Sequence, residues 1–167
     1  SDGYPCASNV CSNTWALVRD GMNAWVAQQT AAGKTPAQIA DIIDDYDVWD
    51  RYDWDGDGNF DEPDGYIDHL QIVHAGGDQA DGDPIQGEDA IWSHRWRAFQ
   101  GTNDDAPIPP LGGTPVGDTG IWAADYTVQP ENGGLSVIAH EFGHDLGWIA
   151  LYDTDGSSAG VDTWSVM

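Results

Sequence analysis

His140-Glu141-Phe142-Gly143-His144-Asp145-Leu146-Gly147 decides how this chain is read. The run has the form H-E-x-x-H-x-x-G, the metal-binding helix of zinc peptidases. Residues i and i+4 of a helix share one face. Two imidazoles so placed can both bind one zinc ion at about 2.0–2.1 Å. Glu141, one residue round the helix from His140, then lies beside the metal without binding it, as a general base must. A turn signal, Glu131-Asn132-Gly133-Gly134, precedes the helix. Ser136 is its expected cap. Val137, Ile138, Phe142 and Leu146 are its apolar residues, and Gly147 is its stop. The competing explanation is a buried helix with no metal, and two imidazoles and a carboxylate would be expensive to bury that way.

The charge balance narrows the partners. Among 167 residues there are 29 Asp plus Glu and 5 Lys plus Arg, a net charge of -24. That argues against nucleic acid and anionic membranes. No apolar run approaches the ~20 residues of a membrane span. Cys6 and Cys11 have four residues between them, and a local disulfide is expected, with two free thiols as the alternative. A disulfide fits a secreted, extracellular protein. The chain starts at Ser1 and ends at Met167 without a polar tail, so a piece of a longer precursor is expected, folded as one domain over 1–167.

The acid is mostly Asp, gathered in Gly-containing loops. Asp53-Trp54-Asp55-Gly56-Asp57-Gly58-Asn59-Phe60-Asp61-Glu62-Pro63-Asp64 follows the twelve-position calcium loop. Asp53, Asp55 and Asp57 fill positions 1, 3 and 5, Gly58 the sharp turn, and Asn59 offers its carbonyl at position 7. Asp61 and Asp64 fill positions 9 and 12. The alternative is a solvated acidic turn. Pro63 and the strand-like run after it argue against a helix–loop–helix. Asp78, Asp81, Asp83, Glu88 and Asp89 offer a second calcium site, with no defensible spacing, against a plain solvated loop.

The pattern of elements predicts an α+β domain. Trp15, Val18, Met22, Trp25 and Val26 recur at helical spacing over 13–31. Thr35-Pro36-Ala37-Gln38 opens a second helix with a capping box, and Ile39, Ile42, Ile43 and Tyr46 form its buried stripe. Strands are expected over 66–74, 90–96 and 121–129, with a surface loop over 101–120. His69, His74 and His94 lack ligand spacing and read as structural.

With both motifs on hand, the chain resembles the immune inhibitor A family of secreted bacterial metallopeptidases. The resemblance is carried by the zinc motif, by Asp55-Gly56-Asp57-Gly58-Asn59-Phe60, by Tyr46-Asp47-Val48-Trp49-Asp50-Arg51-Tyr52, by Gly87-Glu88-Asp89-Ala90-Ile91-Trp92-Ser93-His94-Arg95-Trp96 and by Tyr126-Thr127-Val128-Gln129-Pro130-Glu131-Asn132-Gly133-Gly134. It implies a metzincin-like endopeptidase made with a pro-segment, acting on protein or peptide substrates, with zinc for chemistry and calcium for stability. It also implies a methionine turn at Trp164-Ser165-Val166-Met167, and a substrate strand pairing with 121–129. One position departs. The third metzincin ligand falls ten residues after the first His, which here is Ala150. Asp153 is the nearest carboxylate and lies three residues late. An inactive calcium-binding relative serving as a binding module, a replacement ligand and an error in the assigned letters are the three explanations left open.

Overall fold

The structure is a computed structural model that describes residues 6–7, 10–153, 157–158, 160–161 and 165–167, with backbone only for 6–7 and 10–13. Among these residues it is α+β, with three α-helices, one short 3-10 helix and small sheets. Two compact units divide the chain. One comprises 1–70 with 96–126, the other 71–95 with 127–167.

In the first unit, β1 (Cys6–Ala7) and β2 (Val10–Cys11) pair antiparallel with Cys6 opposite Cys11. The cysteine side chains lie outside the described residues. α1 (Ser12–Ala31) follows, and its Val18 is fully buried. Trp15 packs on Phe99 with ring centroids 5.8 Å apart. α2 (Pro36–Asp44) starts as its sequence dictates. The Thr35 hydroxyl accepts from Gln38 N–H, and the Gln38 side chain accepts from Thr35 N–H. Ile39 and Ile43 are buried on its inner face, whereas Tyr46 lies past the helix end and is exposed.

The expected strand over 66–74 is regular only at β3 (Gln71–His74). Its first half bonds elsewhere: Ile67 N–H to Trp122 O, and Asp68 N–H to Tyr46 O. The expected strand over 90–96 is β4 (His94–Arg97). Within the supposed loop over 101–120, β5 (Thr114–Pro115) pairs antiparallel with β6 (Trp122–Ala123). The strand expected over 121–129 divides into β6 and β7 (Asp125–Pro130). Tyr66, Leu111 and Ala124 form a buried cluster, and the Tyr66 hydroxyl donates to Gly112 O at 3.1 Å.

β7 is buried along its whole length because it runs between β3 and β4. β3 joins it in parallel, with Ile72 opposite Val128. Both hydrogen-bonding edges of β7 are therefore occupied, and the expectation that a substrate strand pairs there is corrected. Among the described residues the outer strands are β3 and β4.

α3 (Leu135–Asp145) carries the zinc motif. Its N-cap is Gly134, without a side-chain cap, so Ser136 falls inside the first turn instead of capping it. Its C-terminus closes as the sequence predicts. Gly147 adopts φ +90°, Gly147 N–H bonds His144 O, and Trp148 N–H bonds Gly143 O. This paired reversal requires a left-handed residue, and glycine takes it without steric cost.

Candidate metal centre and acidic loop

His140 and His144 converge. Their Nε2 atoms lie 3.1 Å apart and their rings meet edge-on at 4.5 Å. Two zinc–nitrogen bonds at tetrahedral angle would set the donors about 3.3 Å apart. Each ring is held by its other nitrogen. His140 Nδ1 lies 2.5 Å from Val166 O, and His144 Nδ1 lies 2.8 Å from Trp148 O. A carbonyl can only accept, so each Nδ1 carries a proton, and a neutral ring with its proton there turns a lone pair inward at Nε2. Two lone pairs at that distance repel unless a cation or a shared proton lies between them. Backbone carbonyls orienting ligand imidazoles are the usual support of a metal site. The α3 reversal supplies one of them, because it turns Trp148 back over the helix end.

Glu141 is buried, and burial pushes its carboxyl up to about 7. His144 and the Arg95 N–H lower it, and Asp78 raises it. Asp78 is itself buried and accepts from Ser93 N–H, the Ser93 hydroxyl and Ala80 N–H. Asp145 is buried beside Arg95, 3.9 Å from its Nε. It is thus neither a surface charge nor the partner of His144 Nδ1, which belongs to Trp148. Met167 is buried, and its Sδ would lie 2.6 Å from a Cβ added at Gly143. A side chain at 143 would make the end of the Met167 side chain shift.

Beside the two imidazoles lies an open, mostly apolar cavity of ≈ 480 Å³, walled by Trp148, Ile149, Leu151, Val166 and Met167. Its walls include Trp148 and Val166, the two residues whose carbonyls accept from the rings. Trp148 and Ile149 are strongly exposed.

Among the described residues, no third His, Cys, Asp or Glu ligand atom gathers with both Nε2 atoms. Asp153 instead accepts from Ser158 N–H. Tyr152 packs against His140, with ring centroids 5.9 Å apart. The pair therefore fits zinc as two of its ligands, and position 150 adds none.

The acidic loop belongs to the first unit. Asp53, Asp55 and Asp57 bring carboxylate oxygens within 4.8 Å of one another. Asp50, Asp55 and Glu62 do the same. Side chains turn the backbone inward: Asp57 N–H to Asp55, Asn59 N–H to Asp57, and Gly58 N–H to Asp53. Asn59 donates to Glu62 at 2.7 Å, and its own oxygen accepts from Asp61 N–H. Asp61 and Asp64 join neither group. Asp64 accepts from Tyr66 N–H and sits near Asp47, Asp50 and Asp68. Sequence reasoning missed Asp50, which precedes the loop, and Glu62, which stands at none of the odd positions. In the other acidic stretch, Asp83 accepts from Gly77, Ile85 and Gln86 N–H groups. Among the described residues, the acids over 78–89 form no converging group. His69, His74 and His94 likewise enter none.

Comparison with known proteins places these features in context. Residues 3–167 match the family described as immune inhibitor A peptidase M6, catalytic domain. Over 133 residues the chain is 47% identical to "Immune inhibitor A" of Bacillus thuringiensis subsp. alesti, covering 75% of this chain and 18% of that protein. Over 131 residues it is 45% identical to "Pre-pro-metalloprotease PrtV" of Vibrio cholerae serotype O1, covering 74% of this chain and 13% of that protein. The chain thus spans less than a fifth of the length of these curated relatives.

Proposed function

The chain belongs to the immune inhibitor A family of M6 peptidases, and from that premise we propose that it carries the metal-binding helix of a secreted zinc-dependent endopeptidase. The observation that carries this reading is the inward pair of Nε2 atoms at 3.1 Å, each ring fixed through Nδ1 by a carbonyl. His140 and His144 would hold the ion. The chemistry zinc supplies when bound is Lewis acidity, which brings a coordinated water near pKa 7 and polarises a carbonyl.

The chain's own residues then act as follows. Glu141, with a carboxyl near 7, accepts a proton from water at its carboxylate and returns it to the leaving amine. Burial in α3 keeps that carboxylate fixed beside His144. Met167 underlies the helix at Gly143, in keeping with the methionine turn of metzincin-like enzymes. The cavity walled by Trp148 and Ile149 suits a large apolar substrate side chain. Calcium held by Asp53, Asp55 and Asp57, with Asp50 and Glu62 close by, would stabilise the loop. A Cys6–Cys11 disulfide is supported by their direct opposition across β1 and β2. A precursor with a pro-segment accords with the word "Pre-pro" in the name of the Vibrio relative.

Ala150 favours a second reading, a catalytically impaired relative that binds peptides without cleaving them. Casein hydrolysis by zinc-loaded chain separates the two. The endopeptidase reading expects chelator-sensitive cleavage, with Glu141→Gln reducing the rate ~10²–10⁴-fold while zinc content is unchanged. Cleavage by Glu141→Gln at the wild-type rate refutes the role given to Glu141. Zinc binding without any cleavage supports the impaired relative.

A further inference from the structure

Zinc at a catalytic site takes three protein ligands, and only two imidazoles meet among the described residues. The chain around position 150 is tied to both of them. Two residues before it, the Trp148 carbonyl lies 2.8 Å from His144 Nδ1. Two residues after it, the Tyr152 ring packs against the His140 ring at 5.9 Å. Ala150 is therefore bracketed by contacts to each ligand, and its methyl group is partly buried. This is also where H-E-x-x-H-x-x-G-x-x-H helices bring a third donor.

Resting on the metal-centre reading of the imidazole pair, we infer that the described residues of this chain give zinc two histidine ligands and no third, in an exchangeable site whose occupancy follows free zinc, and that residue 150 sets the affinity. A methyl at 150 leaves a coordination position to water. Water supplies neither the charge of a carboxylate nor the advantage of a donor already fixed in place. Shared over four donors, the binding energy of structural zinc sites makes one ligand worth roughly 100-fold in affinity.

The test is zinc affinity of the purified chain by competition with a chromophoric chelator, which needs no catalysis. Ala150→Asp is expected to bind roughly 100-fold tighter than the unaltered chain. Ala150→His serves the same purpose if the Asp variant fails to fold. Asp153→Asn, Asp155→Asn and Asp162→Asn, the last two outside the described residues, are expected to leave affinity unchanged. Equal affinities for the unaltered chain and a folded variant at 150 overturn the inference. So does loss of binding in any of the three Asn variants, since that residue would be the third ligand. A different result, His144→Ala retaining full affinity, refutes the metal centre itself.

Discussion

Asp64 illustrates how one side chain departs from what its place in a motif suggests. Burial pushes its carboxyl up to about 7, the Tyr66 N–H pulls the other way, and Asp47, Asp50 and Asp68 add to the rise. A carboxyl raised in the folded state binds its proton more tightly there than in the unfolded chain. Its stabilising contribution is full below the unfolded value near 3.8 and is lost as pH rises through about 7. With calcium chelated, the unaltered chain is expected to lose more stability than Asp64→Asn between about pH 4.5 and 7.5. Urea unfolding across that range measures it, and identical slopes for the two proteins would contradict the assignment. The alternation of acids in 53–64 made the gathering of Asp53, Asp55 and Asp57 legible, but not that Asp50 and Glu62 join Asp55. Asp64 turns to a backbone N–H, while Asp50 reaches in from before the loop. Contacts of that kind depend on where the chain doubles back, which spacing does not encode.

At the scale of the element, α3 and its reversal carry the centre. The i, i+4 histidines and the glycine stop were legible because each follows from local helix geometry. The carbonyls that hold the imidazoles were not, since backbone oxygens leave no mark in a sequence. Gly147→Ala would force an alanine to φ +90° and is expected to cost about 1–2 kcal/mol. It would also disturb the Trp148 carbonyl, so zinc affinity should fall ~10–100-fold. Thermal melting and zinc competition read the two effects separately, and loss of stability with zinc affinity intact would detach the reversal from the metal. Gly143→Ala would press its Cβ against the Met167 sulfur and is expected to cost about 1–3 kcal/mol. A neutral melting temperature would argue against that contact. Strand bounds were less legible. The run over 66–74 alternates as one strand, yet 67 and 68 bond to Trp122 and Tyr46.

For the whole molecule, the acidic loop and the imidazole pair occupy different stretches of chain. The acidic loop lies in the unit of 1–70 with 96–126, and the imidazole pair in the unit of 71–95 with 127–167. Calcium at 100 times its Kd would add about 2.7 kcal/mol to the folded state. Asp55 belongs to both converging acid groups, so Asp55→Asn is expected to abolish most of the calcium-dependent rise in Tm, and Asp61→Asn little of it. Equal losses in the two variants would contradict the ligand groups described. No described helix is long and apolar enough to cross a membrane. The central claim is that His140 and His144 grip one ion through Nε2. Zinc K-edge X-ray absorption of the zinc-loaded chain tests it most directly. Two imidazole shells at about 2.0–2.1 Å, lost in His144→Ala, are predicted; zinc without imidazole scattering, or scattering untouched by that substitution, would contradict the account.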